Sequence, residues 1–90
     1  MIKVVLNSKE DKKFHEIVAN RIKENGLPVH SSKVMNTKFG TVSQLLVSSK
    51  FTNENVEMIS DDITDVIEEF KLSKVNVLLV SPIGSTISLT

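Results

Sequence analysis

The residues best placed to do chemistry form a run around the second of three glycines: Asn36, Thr37, Lys38, Phe39 and Gly40. A glycine lets backbone close on a ligand, and the lysine beside it supplies charge. Thr37, Lys38, Phe39 and Gly40 are therefore candidate contacts for a small anion. The competing reading is a hairpin turn followed by a solvated lysine. Lys71 and Lys74 are further candidates, able to hold a phosphate as point charges without the bidentate geometry of arginine. Their place at the end of a helix, where cations suit the negative dipole end, explains them equally well. Phe14, Phe39, Phe51 and Phe70 read mostly as core, and Phe39, which follows a polar run, is the one that could instead stand exposed in a loop.

Other chemistries find little to work with. Asp62, Asp65 and Glu69 could share a helical face and invite a hard-metal reading, but dipole and solvation account for them, and no metal is expected. His15 and His30 are not at metal-ligand spacing and read as surface histidines. Serines are many, yet no Gly-x-Ser-x-Gly elbow accompanies them. Gly26, Gly40 and Gly84 make neither a Walker nor a dinucleotide pattern. With no cysteine, thiol catalysis, thiolate metal sites and disulfides are excluded, which fits a reducing cytoplasm. Nothing requires an enzyme or a cofactor.

Ninety residues make one domain, spanning positions 1–90. A chain this short buries only roughly 60–65% of its unfolded surface, and association between copies is one way to add burial. The apolar run at the N-terminus is too short for a signal peptide, and none approaches the roughly 20 residues of a membrane span. A soluble, cytoplasmic protein is expected. Net charge is zero but polarised: residues 1–50 hold nine basic and four acidic residues, and residues 51–90 two and seven. A basic half could attract nucleic acid. However, with four Phe and no Tyr or Trp a base-stacking platform is poorly supplied, so nucleic acid is disfavoured.

The elements that must position these residues follow from periodicity. Ile2 to Leu6 reads as a buried strand. Ser8 is a candidate N-cap, with Glu10 and Asp11 in the first turn of a helix whose stripe is Phe14, Ile17, Val18 and Ile22. Asn25-Gly26 closes it, Leu27 folding back on Ile22 in a Schellman ending before Pro28. Val29 to Lys38 and Thr41 to Ser48 read as strands on either side of Gly40, and Lys50 to Asn55 as a polar connector. Val56, Ile59, Ile63, Val66, Ile67 and Phe70 could form one long helical stripe. The preferred reading makes Val56 to Ile59 a strand and starts the helix at Ser60, with Asp61 and Asp62 at its positive end. Val75 to Val80 is a buried strand, Pro82 and Gly84 break it, and Ile87 to Leu89 can return as an edge. The economical architecture is an α+β ferredoxin-like βαββαβ sandwich, two helices on one face of a mainly antiparallel sheet. This reading leans on the strand-to-helix step at Ser60; continuous helix over positions 53–72 would contradict it.

Three stretches resemble the PII signalling proteins and their PII-like relatives. Lys38-Phe39-Gly40 is similar to the Gly-Phe-Gly at the entrance to that family's T-loop. Val56 to Ile63 resembles its strand-then-helix junction, and Val77 to Thr90 its last two short strands. The resemblance implies a trimer that binds an adenine nucleotide between subunits. The family holds the phosphates with a Gly- and Lys-bearing loop and with C-terminal arginines. At those places this chain has Lys71-Leu72-Ser73-Lys74, without glycine, and Ser85 to Thr90, without arginine; its only arginine is Arg21. The expectation is a regulatory protein that senses a small anion such as an adenine nucleotide and signals to a protein partner such as a transporter or metabolic enzyme. The alternative is a ferredoxin-like adaptor without a small-molecule ligand.

Overall fold

The computed structural model describes residues 1–90 except Glu10, Asp11, Ser73 and Thr90. The elements run β1 (Ile2–Ser8), α1 (Lys12–Glu24), β2 (Val29–Thr37), β3 (Gly40–Val47), α2 (Asn53–Glu69), β4 (Asn76–Val80) and β5 (Thr86–Ser88). One five-stranded sheet has the order β2-β3-β1-β4-β5, and every neighbouring pair is antiparallel. Successive strand side chains point to opposite faces. Ile2, Val4 and Leu6 of β1, Leu45 and Val47 of β3, and Val77 and Leu79 of β4 therefore share a side. They form one core with Phe14, Val18 and Ile22 of α1 and Ile59, Ile63 and Val66 of α2. Both helices thus cover the same face. The helix-free face carries Val5, Val42, Leu46, Leu78 and Val80, all half-buried. Among the described residues, no helix is long and apolar enough to cross a membrane.

The end of α1 follows the expected chemistry. Gly26 takes φ +92°, Leu27 N–H donates to the Ile22 carbonyl at 3.3 Å, and Gly26 N–H to that of Lys23 at 3.0 Å. This is the Schellman pattern, and Leu27 and Ile22 are both in the core. The start of α1 adjoins residues that are not described. Ser8, the expected cap, ends β1, and its hydroxyl engages His15. Glu10 and Asp11, expected in the first turn, lie outside the described residues.

The second helix corrects the sequence reading. Residues Val56 to Ile59 are not a strand, and Ser60 does not begin a helix; α2 is continuous over Asn53–Glu69. The cap is Thr52, whose hydroxyl accepts from the Asn55 N–H at 3.2 Å, while the Asn55 side chain donates to the Lys50 carbonyl at 2.9 Å. Ser60 donates back to the Val56 carbonyl at 2.7 Å, as serine does inside a helix. Asp61 and Asp62 sit mid-helix, away from the dipole end. Two helices still share one sheet, because the β2–β3 hairpin supplies the strands and the extra one at positions 56–59 is not needed. The PII-like junction over Val56 to Ile63 is lost with it.

Candidate functional site

The β2–β3 hairpin ends in a two-residue connection, Lys38-Phe39, between Thr37 and Gly40, which face each other in register. The Thr37 hydroxyl donates to the Gly40 carbonyl at 2.8 Å and accepts the Phe39 N–H at 3.2 Å. One strand pair earlier, the Thr41 hydroxyl donates to Asn36 at 3.1 Å. These bonds hold the tip in one shape. Gly40 carries a φ of +137°, and a Cβ built there would lie 2.3 Å from the Ser8 carbonyl oxygen. The close approach that requires glycine is therefore to the end of β1. It presses the hairpin against Ser8 and Lys9 and leaves Phe39 outside, 86% exposed.

Two open depressions adjoin at this end of the sheet. One, of about 590 Å³, is lined by Lys9, Thr37, Lys38, Phe39 and Gly40. The other, of about 350 Å³, is lined by Asn7, Ser8, Lys9, Phe39, Lys74 and Asn76. Phe39 and Lys9 belong to both. Three cations from three segments, Lys9 after β1, Lys38 in the hairpin and Lys74 before β4, line depressions that share one exposed ring, and among the described residues no acid lines them. None of the three is in a salt bridge among the described residues. Unpaired ammonium groups in water are receptive to anions, each worth about 1 kcal/mol at contact distance.

Five of the six sequence candidates, Thr37, Lys38, Phe39, Gly40 and Lys74, come together here. Lys71 lines neither depression; it sits at φ +53° just beyond α2, where Leu72 N–H reaches the Ile67 carbonyl and Lys71 N–H that of Glu68, both at 3.1 Å. Lys71 thus occupies the left-handed position of a Schellman ending, usually taken by glycine. Lys9 was not singled out in the sequence. Its signal is positional: it follows a strand that register places beside the glycine turn.

Beneath the site lies a buried network that corrects a second expectation. His15 is not on the surface; it is 1% exposed. Its Nε2 is 2.9 Å from the Ser8 hydroxyl and its Nδ1 2.6 Å from that of Ser43, both buried. Hydroxyls donate and accept, so they satisfy either neutral tautomer. The network ties α1 to β1 and β3 under the depression that Ser8 helps to line. The spacing carried the signal, since His15, Val18, Ala19 and Ile22 recur at i, i+3, i+4 and i+7. His30 is exposed, as expected.

Between the helices, Asn25 donates to Asp62 Oδ1, and Arg21 pairs with Glu69 at 2.9 Å. Asp62 is buried and its Oδ2 has no partner. Burial raises its pKa above the ordinary carboxyl value, partly opposed by the Asn25 hydrogen bond. No cluster of metal-ligating side chains occurs among the described residues. At the opposite end of the sheet, Met1, Phe51, Pro82 and Ile83, with Lys50, Ser81 and Ser85, line an apolar groove of about 420 Å³. No family model matches the chain, and no curated protein sequence matches it.

Proposed function

We propose that the protein is a regulatory module that binds a small phosphate-bearing anion at the Phe39 end and passes its occupancy to a protein partner. The observation that carries this reading is the convergence of Lys9, Lys38 and Lys74 around a braced hairpin tip, with no acid lining it among the described residues. A ligand bridging the hairpin and the β4 approach would hold the two segments in one arrangement. By linkage, a partner that prefers that arrangement would bind more tightly by the same factor. The fold is of the ferredoxin-like type. Its support is the order β2-β3-β1-β4 with helical crossovers, β5 being an addition at the edge. A PII-like kinship is proposed on Lys38-Phe39-Gly40 and on the two closing strands. The half-buried apolar helix-free face supports a homotrimer. The partner, by that kinship, is a transporter or metabolic enzyme, and the setting the cytoplasm.

Calorimetry with pyrophosphate, ATP, ADP and cyclic dinucleotides, combined with light scattering, tests this reading. Lys38→Ala and Lys74→Ala should each weaken the ligand about fivefold, the equivalent of about 1 kcal/mol. Silence for every anion refutes it. A second reading, an adaptor without a small-molecule ligand, is favoured by the apolar groove at Met1, Phe51 and Ile83, where Ile83 is 90% exposed. It predicts that silence, together with loss of partner binding in Ile83→Asp.

A further inference from the structure

We infer that the anion recognised at the Phe39 end is the backbone of a single-stranded nucleic acid, with one base stacked on the Phe39 ring. This rests on the reading of that end as an anion site and narrows its ligand to a chain of nucleotides. Composition argues against a stacking platform, but the number of rings matters less than where they stand. Phe14 is buried, Phe70 packs edge-on against it at 5.8 Å, and Phe51 is half-buried. Phe39 is the most displayed of the four, 86% exposed against 42% for Phe70, on a tip held by its own hydrogen bonds. An exposed phenylalanine costs solubility and contributes nothing to this core. An aromatic face among lysines is what unpaired bases stack upon.

The distribution of charge selects a chain over a free phosphate. Phe39 lines two adjoining depressions, with Lys38 lining one, Lys74 the other and Lys9 both. A base on the ring would therefore have cations available to the phosphates before and after it. Duplexes are the poorer fit, because a paired base has no free face to give to Phe39.

Fluorescence anisotropy of labelled dT12 and rU12, with inorganic polyphosphate as a base-free competitor, tests the inference. The expected result is binding whose logarithm falls with the logarithm of salt concentration with a slope of about −2, three phosphate contacts at roughly −0.7 each. Phe39→Ala should weaken the oligonucleotides about five- to a hundredfold, and Phe39→Trp should restore them. Polyphosphate binding should be unchanged by Phe39→Ala and lowered by Lys38→Ala and Lys74→Ala. An exposed residue can be replaced without touching the core, and circular dichroism verifies that each variant is folded. Polyphosphate binding without oligonucleotide binding overturns this inference and leaves the anion site standing. Equal binding of oligonucleotides by the wild type and Phe39→Ala does the same. If polyphosphate and oligonucleotides both fail to bind, the anion site itself falls.

Discussion

Replacing Gly40 by alanine would put a methyl carbon 2.3 Å from the Ser8 carbonyl oxygen, closer than non-bonded atoms approach. Two costs follow. A residue with a Cβ at φ +137° is in a backbone region open essentially to glycine, worth about 1–3 kcal/mol. The clash is with backbone, so the start of β3 must move away from β1, and overpacking of this kind costs a further ~1–3 kcal/mol. The expected loss is roughly 2–6 kcal/mol, a large share of the ~5–15 kcal/mol that holds a domain together. At about 4–8 °C per kcal/mol for a domain of this size, the midpoint should fall by roughly 10 °C or more. Gly26 is the internal control: it too has positive φ, +92°, but nothing lies within 4 Å of a Cβ built there. Gly26→Ala should lose only the backbone term, about 1–2 kcal/mol. Urea denaturation of both variants measures the difference. Equal losses would refute the claim that the hairpin tip is pressed against β1, and with it the placement of Phe39 beside Lys9.

Three further outcomes follow from the helices. Asp62 has a raised pKa when folded, so the native state binds more protons than the unfolded chain, and stability from this group is lost as pH rises through the folded value. Asp62→Asn should therefore gain on the wild type from about pH 4 to pH 7, and parallel denaturation curves across that range would contradict the burial argument. Lys71→Gly removes a side chain from the left-handed position and should stabilise by about 0.5–1 kcal/mol in thermal melts while leaving anion affinity unchanged. Thr52→Ala should cost about 1 kcal/mol, read by chemical denaturation, because Thr52 caps a helix that starts at Asn53. If α2 began at Ser60, that change would be silent.

Local chemistry made most of the fold legible. Gly26 and Leu27 announce the end of α1, Gly40 separates two strands, and Val77 to Val80 can only be a buried strand. The error at positions 56–59 has a clear cause. Val56-Glu57-Met58-Ile59 satisfies both a two-residue and a helical period, and Asp61-Asp62 mimics a helix start. What decided it was Thr52 and Asn55, a cap pair inside a stretch read as connector. Asp62 then proved to face Asn25, just beyond the end of the other helix, a tertiary contact that no local pattern signals. Five of the six candidate residues lie at one end of the sheet, and they could be picked out because a glycine turn and lysines are local features. Lys9 and the Ser8–His15–Ser43 network needed the register between β1 and β3, which joins residues 33 or more positions apart.

A 15N-NMR titration with pyrophosphate asks most directly whether the Phe39 end is the site. Amide shifts confined to Lys9, to Thr37 through Gly40 and to Lys74 through Asn76, saturating together, are the predicted result. Shifts centred on Met1, Phe51 and Pro82 to Ser85, or none at any residue, would contradict it.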